Sequence, residues 1–344
     1  MRNLALTLLL TACQAWAQVG WQELRVRGVP PEGDIALVAL WYPSPDKAGS
    51  TVMGPFTVHA SLQGKPAPSF KGLILLSHGL GGSELGHGRL AEALARHGYL
   101  VAALRHPLDN WQEHTLLTQG PPGRYFRVRP RQLSQVLTAL LQNPRWKDRI
   151  QVDGQGPRIG ALGHSAGGYT VLALAGGEPD LARIQAHCQA EGTLDPIFCS
   201  TKGPAWTGPA VPPDLAPLKD PRIRAVAALA PMGVVFTPES LAAITTRVAI
   251  WVGASDRWLV PRFHGAWVAG HLPGAEFHSV PNAWHFAFMD TPSQRIDTPD
   301  GDVAADPPGF NRKAFLEQLG KDLITFFDQA WDPPTPPKPT RSSP

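Results

Sequence analysis

Short apolar runs and longer helical patterns alternate along most of this chain. Runs rich in Val, Ile, Leu and Ala predict strands over residues 34–42, 72–77, 99–104, 158–163, 223–229, 247–252 and 275–280. Most of these runs are apolar at successive positions, which is typical of strands buried on both faces. Strands that alternate with helices predict an α/β fold with a mostly parallel central sheet.

The segments between these runs carry apolar residues at helical spacing. They predict helices over residues 88–97, 130–142, 168–175, 261–270 and 312–330. In the last of these, Asn311 is a suitable N-cap, and Leu316, Leu319, Leu323 and Phe327 share one face. Such a face packs against a core, so we predict a sheet flanked by helices on both faces.

Composition narrows the classes of protein to which the chain can belong. With 344 residues, 43% of them hydrophobic, the chain can bury a sizeable core in one large domain or two ordinary ones. The net charge is +3, from 31 basic and 28 acidic residues that form no long runs. Proteins that bind nucleic acid concentrate basic residues on one face, so we expect no nucleic-acid partner.

Three segments depart from the alternation of strands and helices. Residues 176–220 hold many prolines and Trp206, and we interpret them as an insertion over one edge of the sheet, a candidate lid. Residues 291–309 are acidic and rich in proline, which predicts a loop before the final helix. Residues 332–344 form a proline-rich polar tail with nothing to bury. Residues 18–331 are predicted to form a single domain that includes the insertion.

Residues 1–17 are predicted to be an export signal rather than part of the fold. A short basic start precedes an apolar run at residues 4–10, which is too short to span a bilayer. Ala15 and Ala17 fit cleavage before Gln18, whereas residues 10–13 resemble a lipobox that would leave Cys13 lipidated as a membrane anchor. We favour the first route, because cleavage before Cys13 would leave an unusually short signal; a buried N-terminal helix is a third interpretation. Either processing route predicts a periplasmic, secreted or lipid-anchored envelope protein.

The cysteines agree with export. Apart from Cys13, only Cys188 and Cys199 are present, and an even pair eleven residues apart in an oxidising compartment predicts a disulfide. A metal site is the alternative, but it would need more ligands than His187 alone adds. No HExxH or comparable spacing occurs elsewhere, so we expect no catalytic metal.

One motif carries the chemistry, Gly163-His164-Ser165-Ala166-Gly167, a GxSxG that directly follows a predicted strand and precedes a predicted helix. Flanking glycines permit a sharp turn that lifts the serine hydroxyl above the sheet. The N-terminus of the helix then offers the amide of Ala166 to a developing oxyanion. This context predicts Ser165 as a nucleophile.

A serine hydroxyl needs a base and an orienting acid, which follow in the order Ser, Asp or Glu, His in this kind of site. Asp256 stands just past the strand at residues 247–252, and His285 stands in the loop after the strand at residues 275–280. We predict His285 as general base and then acid, and Asp256 as the carboxylate that fixes its tautomer. An alternative is that Asp256 only caps a helix and that Asp290 is the acid.

The second oxyanion donor should come from a loop after an early strand. The strand at residues 72–77 runs into a glycine-rich turn, His78-Gly79-Leu80-Gly81-Gly82. We predict that the backbone amide of Leu80 works with that of Ala166 as the oxyanion hole.

Taken together, these motifs resemble the α/β-hydrolase superfamily, and within it the dienelactone hydrolase-like proteins related to platelet-activating-factor acetylhydrolases. The resemblance rests on the segments at residues 40–43, 77–82, 106–107, 129–130, 163–168, 220–225 and 283–288, and covers most of residues 34–290. It implies a cofactor-free carboxylester hydrolase, of a kind often exported in bacteria.

The sequence departs from both relatives. In the acetylhydrolases the acid follows the strand that here ends near Leu229, where no carboxylate stands. Asp256 resembles the acid of the dienelactone hydrolases, which have cysteine in place of Ser165. We therefore predict a serine esterase for short-acyl or phospholipid-like esters. A noncatalytic envelope binding protein of the same fold, or an acyltransferase with the same triad, are the alternatives.

Overall fold

The computed structural model describes residues 18–31, 33–200 and 217–332. The predicted export signal with Cys13, Trp206 within the insertion, and residues 333–344 of the predicted tail lie outside the described residues. Within the described part, no helix combines the length and the apolar character needed to cross a membrane.

The strands form one large sheet and two small ribbons. Their bounds are β1 (Gln18–Val29), β2 (Asp34–Ser44), β3 (Gly49–Met53), β4 (Phe56–Leu62), β5 (Leu73–Ser77), β6 (Leu100–Arg105), β7 (Val152–Asp153), β8 (Gly156–Pro157), β9 (Ile159–His164), β10 (Ala225–Leu229), β11 (Arg247–Gly253), β12 (Glu276–Val280), β13 (Asp297–Thr298) and β14 (Gly301–Asp302). The large sheet has the order β12-β11-β10-β9-β5-β6-β2-β1-β4-β3.

Strands β12 to β6 in this order run parallel, whereas β2 pairs antiparallel with both β6 and β1. The register sets Ser77 of β5 beside Gly163 of β9, and Leu229 of β10 beside His164. The carboxyl ends of these three strands therefore meet at one edge of the sheet, where catalytic groups gather in α/β proteins.

The helices cover both faces of this sheet. Their bounds are α1 (Gly88–Arg96), α2 (Thr115–Thr118), α3 (Arg124–Gln142), α4 (Pro144–Lys147), α5 (Ala166–Ala175), α6 (Leu181–Glu191), α7 (Pro196–Ser200), α8 (Pro238–Ala242), α9 (Gly265–His271) and α10 (Arg312–Trp331). Leu133 of α3, Tyr169 of α5 and Val268 of α9 belong to one core, and Leu90 of α1 and Leu319 of α10 belong to the other. The predicted fold class, a mostly parallel sheet between two helical layers, is confirmed.

The predicted strands agree with β2, β5, β6, β9, β10, β11 and β12 to within two residues at each end. The prediction omitted β1, β3 and β4, which form the far end of the sheet. Buried and exposed residues alternate along much of β4, so these strands lack the continuous apolar runs that marked the others.

Helix α3 begins at Arg124, six residues before the predicted start at Pro130. Proline favours the first turn of a helix, but Pro130 lies inside this one. Its ring nitrogen cannot donate to the carbonyl of Phe126 one turn earlier. That carbonyl accepts a hydrogen bond of 2.7 Å from the hydroxyl of Tyr169 on α5. A neighbouring helix thus satisfies the acceptor that the proline leaves, which local sequence could not reveal.

The described part of the insertion contains α6 and α7, which the predicted disulfide between Cys188 and Cys199 joins across a Cα–Cα distance of 5.4 Å. The buried carboxylate of Asp195 lies between them. It accepts hydrogen bonds of 2.9 Å from His187 of α6 and from His264, the residue before α9. The insertion is thereby fastened both to itself and to the helical layer of the domain.

Replacing Cys188 by serine is expected to lower the free energy of unfolding by about 3 kcal/mol, because the bridge closes a short loop in the unfolded chain. Urea denaturation of the purified protein measures this loss. Cys199→Ser and the double variant are the controls, and all three should lose the same amount, since each removes one bond. A double variant that loses twice as much as either single variant would contradict this explanation.

Candidate active site

Ser165 occupies the sharp turn between β9, which ends at His164, and α5, which begins at Ala166. Its backbone has φ 58° and ψ −117°, a left-handed conformation that costs a non-glycine residue about 1–3 kcal/mol. Neighbouring strand β10 holds the turn, since Ser165 N donates to the carbonyl of Leu229 (2.9 Å). Met232 N, just after β10, donates to the carbonyl of Ser165 (3.1 Å). The side chain retains 7% exposure at the carboxyl edge of the sheet.

The two glycines of the motif make this turn possible by close approach. A Cβ at Gly163 would overlap the carbonyl of Gly167, and a Cβ at Gly167 would overlap the carbonyl of Ser77 at the end of β5. Any side chain at either position would push α5 away from the sheet.

We expect Gly167→Ala to destabilise the fold by about 3 kcal/mol or more, because the obstructing atoms are backbone and cannot rotate away. Gly270→Ala is the matched control. No atom lies within 4 Å of a Cβ there, and alanine is the better helix former by about 1 kcal/mol. Urea denaturation of both variants checks this difference, and equal stabilities would refute it.

The predicted acid and base, Asp256 and His285, are in direct contact. His285 Nδ1 donates to Asp256 Oδ2 at 2.7 Å, and both side chains are buried. The other carboxylate oxygen, Oδ1, accepts the backbone amides of Trp258 and Leu259, each at 2.8 Å. Asp256 is therefore fixed by its own loop as well as by the imidazole. Since Nδ1–H points at a carboxylate, Nε2 of the neutral ring keeps its lone pair for accepting a proton.

His164, the residue before Ser165, ties the His285 loop to the sharp turn between β9 and α5, the elbow of this site. His164 Nε2 donates to the backbone carbonyl of His285 at 3.0 Å, and the two rings lie 4.9 Å apart. Burial holds the pKa of His164 well below 6.5, so the ring remains a neutral spacer. On its other side, His285 stacks against Trp258 with ring centroids 5.8 Å apart. The imidazole thus has a fixed plane close to Ser165.

The third contact of the predicted triad is not formed. Across the described residues, neither Ser165 Oγ nor His285 Nε2 has a hydrogen-bond partner. The structure therefore joins Asp256 to His285 directly, and brings Ser165 near His285 only through His164. Such contacts are often long before substrate binds.

Asp290, the alternative acid, has a different environment. Its carboxylate accepts the backbone amide of Arg89 at 3.0 Å, in the first turn of α1. Burial raises the pKa of Asp290 to about 7. Its contacts are those of a helix-capping residue, whereas the imidazole of His285 is paired with Asp256.

The turn after β5 packs against the turn between β9 and α5 and contains the amide of Leu80. A Cβ at Gly79 would lie only 3.2 Å from Ser165 Cβ, so this turn packs directly against Ser165. The carbonyl of Gly79 accepts His78 Nδ1–H (2.7 Å) and Gly82 N (3.1 Å). In a trans peptide the N–H points opposite to the carbonyl, which directs the amide of Leu80 away from these donors. Among the described residues, neither Leu80 N nor Ala166 N donates a hydrogen bond to any acceptor.

The neutral ring of His78 stabilises this turn through two hydrogen bonds. Burial lowers its pKa to about 4, with the Arg129 guanidinium adding to the effect. Nε2 of the neutral ring accepts the backbone amide of His106 (3.2 Å) while Nδ1–H donates to Gly79. The ring therefore links the ends of β5 and β6.

The acidic loop at residues 291–309 borders the site. Arg257, beside Asp256, pairs with Asp300 at 2.8 Å and lies over the ring of Trp284 at 4.1 Å. This contact fastens the loop at residues 291–309 next to His285.

Sequence reasoning missed a buried ion pair between Arg129 of α3 and Asp109, both with fully buried side chains. A signal was present, because Arg129 stands one turn after Tyr125 and one turn before Leu133 on the apolar face of the helix. A charged residue on such a face needs a buried partner. Nothing in the sequence pointed to Asp109 as that partner.

No protein family matches this sequence, and no curated protein matches it. Among solved structures, a ferulic acid esterase from Streptomyces cinnamoneus is similar, with a TM-score of 0.62 and 22% sequence identity. The similarity covers 96% of this chain and 95% of that chain. At this identity, the likeness informs the fold rather than the chemistry. The strand order, the elbow between β9 and α5, and this similarity together show that the chain has an α/β-hydrolase fold.

Proposed function

We propose that this protein is a serine carboxylester hydrolase. Ser165 is the nucleophile, His285 the general base and then acid, and Asp256 the carboxylate that holds the imidazole. The amides of Leu80 and Ala166 form the oxyanion hole. The observation that carries the proposal is the strained Ser165, whose hydroxyl has no hydrogen-bond partner among the described residues, at the same edge of the sheet as the paired His285 and Asp256.

In the proposed reaction, Ser165 Oγ attacks the ester carbonyl carbon while its proton moves to His285 Nε2. The carbonyl oxygen becomes an oxyanion, which the amides of Leu80 and Ala166 stabilise. Collapse of this intermediate breaks the bond to the alcohol, which leaves with the proton from His285. Water, deprotonated by His285, then attacks the acyl-enzyme; the bond between the acyl carbon and Ser165 Oγ breaks, Oγ takes back the proton from His285, and the acid is released. Asp256 stays ionised and stabilises the imidazolium at each step.

For the substrate, we propose a short-acyl or phospholipid-like ester, with a site of the dienelactone hydrolase type because the acid follows β11 rather than β10. A second class follows from the structural neighbour, whose name is that of a ferulic acid esterase. Aromatic acyl esters such as methyl ferulate therefore belong among the candidates. An acyltransferase would use the same residues and differ only in replacing water by an alcohol.

A panel of esters tests the proposal. Purified protein should release p-nitrophenol from p-nitrophenyl acetate and butyrate, and a fluorophosphonate should label Ser165, as mass spectrometry of the peptide would show. Methyl ferulate and a short-chain phospholipid compare the two substrate classes, and added alcohols detect acyl transfer. Neither turnover nor labelling would favour the noncatalytic binding protein and overturn the proposal.

We further propose that the protein is exported. The disulfide between Cys188 and Cys199 supports an oxidising compartment. The mass of the mature protein separates the two processing routes, since cleavage before Gln18 leaves a soluble chain and a lipidated Cys13 leaves a membrane-anchored one.

A further inference from the structure

The buried guanidinium of Arg129 lies behind the proposed oxyanion hole and touches both sides of it. Its partners are the carboxylate of Asp109, the backbone carbonyl of His78, Ser77 Oγ at 3.3 Å and Thr170 Oγ1 at 3.2 Å. Three separate elements, β5 with its turn, the loop after β6, and α5, thus converge on one side chain of α3.

On the first side, the contacts fix the backbone on both flanks of Leu80. Arg129 Nη2 holds the carbonyl of His78, two residues before it. Asp109 restrains Gly81, the residue after Leu80. Its Oδ1 accepts a hydrogen bond from Gly81 N at 2.9 Å, while its Oδ2 accepts one from Arg129 Nη1. Leu80 N is therefore presented by a turn that is anchored before and behind.

On the second side, the contacts reach the helix that carries the other donor. Arg129 Nε donates to Thr170 Oγ1, and the hydroxyl of Thr170 donates to the carbonyl of Ala166 at 2.9 Å. Ala166 is the first residue of α5, and its own amide is the one that faces the site. One rigid, planar guanidinium therefore connects backbone groups that adjoin both of the proposed donor amides.

We infer that the Asp109–Arg129 pair positions the oxyanion hole by setting the spacing between the amides of Leu80 and Ala166. This inference rests on the proposed esterase function. A buried ion pair alone is weak evidence for stability, since apolar residues often replace such pairs without loss. Here the same two side chains contact the turn that carries Leu80 and, through Thr170, the first turn of α5, which a merely space-filling pair would not need to do.

The inference predicts that the double variant Asp109→Leu/Arg129→Met folds but loses transition-state stabilisation. Removing both charges avoids an unpaired buried ion, which would confound either single variant. We expect kcat for p-nitrophenyl butyrate to fall about 100-fold while KM changes less than about threefold, because loss of a well-placed oxyanion donor acts on the transition state. Arg129→Lys should fall between the double variant and the parent, since an ammonium can pair with Asp109 without spanning all the acceptors.

A second measurement separates positioning from general damage. A boronic acid that forms a tetrahedral adduct on Ser165 should bind the double variant about 100-fold more weakly, in proportion to kcat/KM. The control is Arg222→Met, which breaks the pair between Arg222 and Asp220 that contacts α3 at Ser134. It should lower thermal stability and leave kcat unchanged.

The outcomes distinguish this inference from the proposed function. If the parent protein hydrolyses esters and the folded double variant keeps its kcat and its affinity for the boronic acid, the pair serves only the fold and the inference is wrong. If the double variant fails to fold although the parent is active, the same conclusion follows. If the parent neither hydrolyses esters nor reacts with a fluorophosphonate, the proposed function fails first and the inference falls with it.

Discussion

If Ser165 is the nucleophile as proposed, Ser165→Ala is expected to reduce kcat for p-nitrophenyl butyrate by about 10⁶-fold, as nucleophile removal does in a well-studied serine protease. The alanine lacks the oxygen that attacks the carbonyl carbon, so no acyl-enzyme forms. Some acceleration over water should remain, because the amides of Leu80 and Ala166 still stabilise an oxyanion formed by direct attack of water. Initial rates with the purified variant and loss of fluorophosphonate labelling measure the effect.

The matched control is Ser279→Ala, which removes an exposed hydroxyl from β12. It should keep the activity and labelling of the parent. The alanine variant at position 165 should remain folded, and circular dichroism checks that point. A folded Ser165→Ala that still turns over the ester at a few per cent of the parental rate would move the nucleophile to another residue.

Asp256→Asn is expected to lower kcat by about 10⁴-fold, as the same exchange does in a well-studied serine protease. The amide nitrogen of asparagine would donate to His285 Nδ1, which forces the ring proton onto Nε2. That atom could then no longer accept the proton of Ser165. Substrate binding should change little, because within the described ranges Asp256 accepts hydrogen bonds only from His285, Trp258 and Leu259.

Asp290→Asn is the corresponding control, since the sequence offered Asp290 as the alternative acid. Burial raises the pKa of Asp290 to about 7, so an uncharged amide resembles the form that the folded protein favours below that pH. The amide oxygen can still accept Arg89 N at the start of α1. We expect kcat within a few-fold of the parent. A reversed pair of results, with Asp290→Asn inactive and Asp256→Asn active, would exchange their roles.

The local patterns that predicted the fold are those that few other structures could accommodate. Runs such as Leu73–Ser77 are apolar on both faces, and a short segment of this kind has no stable place except inside a sheet covered by helices. The predicted start of α3 was wrong because, from the sequence alone, Pro130 resembles a proline in the first turn of a helix. Tyr169 supplies the donor that permits the helix to continue through it.

The candidate site likewise has some features that the sequence predicts and others that it leaves open. The order of the elbow, Asp256 and His285 is written in the sequence, because each stands directly after a strand and parallel strands end at one edge of a sheet. The choice between Asp256 and Asp290 was not, since position in the chain does not show which carboxylate contacts the imidazole of His285. Their contacts differ, with Asp256 on the imidazole and Asp290 on the amide of Arg89.

The sequence by itself therefore determined the fold class, the strained elbow at Ser165, and the chain order of the residues that would act with it. Only the tertiary structure decided which acid meets His285, and that Arg129, Asp109 and Thr170 connect the backbone on the two sides of the proposed oxyanion hole. The physical reason is the distance along the chain over which each kind of interaction acts. Strand and turn preferences act between near neighbours, whereas the partner of a buried charge is set by how α3, α5 and the loops after β5 and β6 pack together.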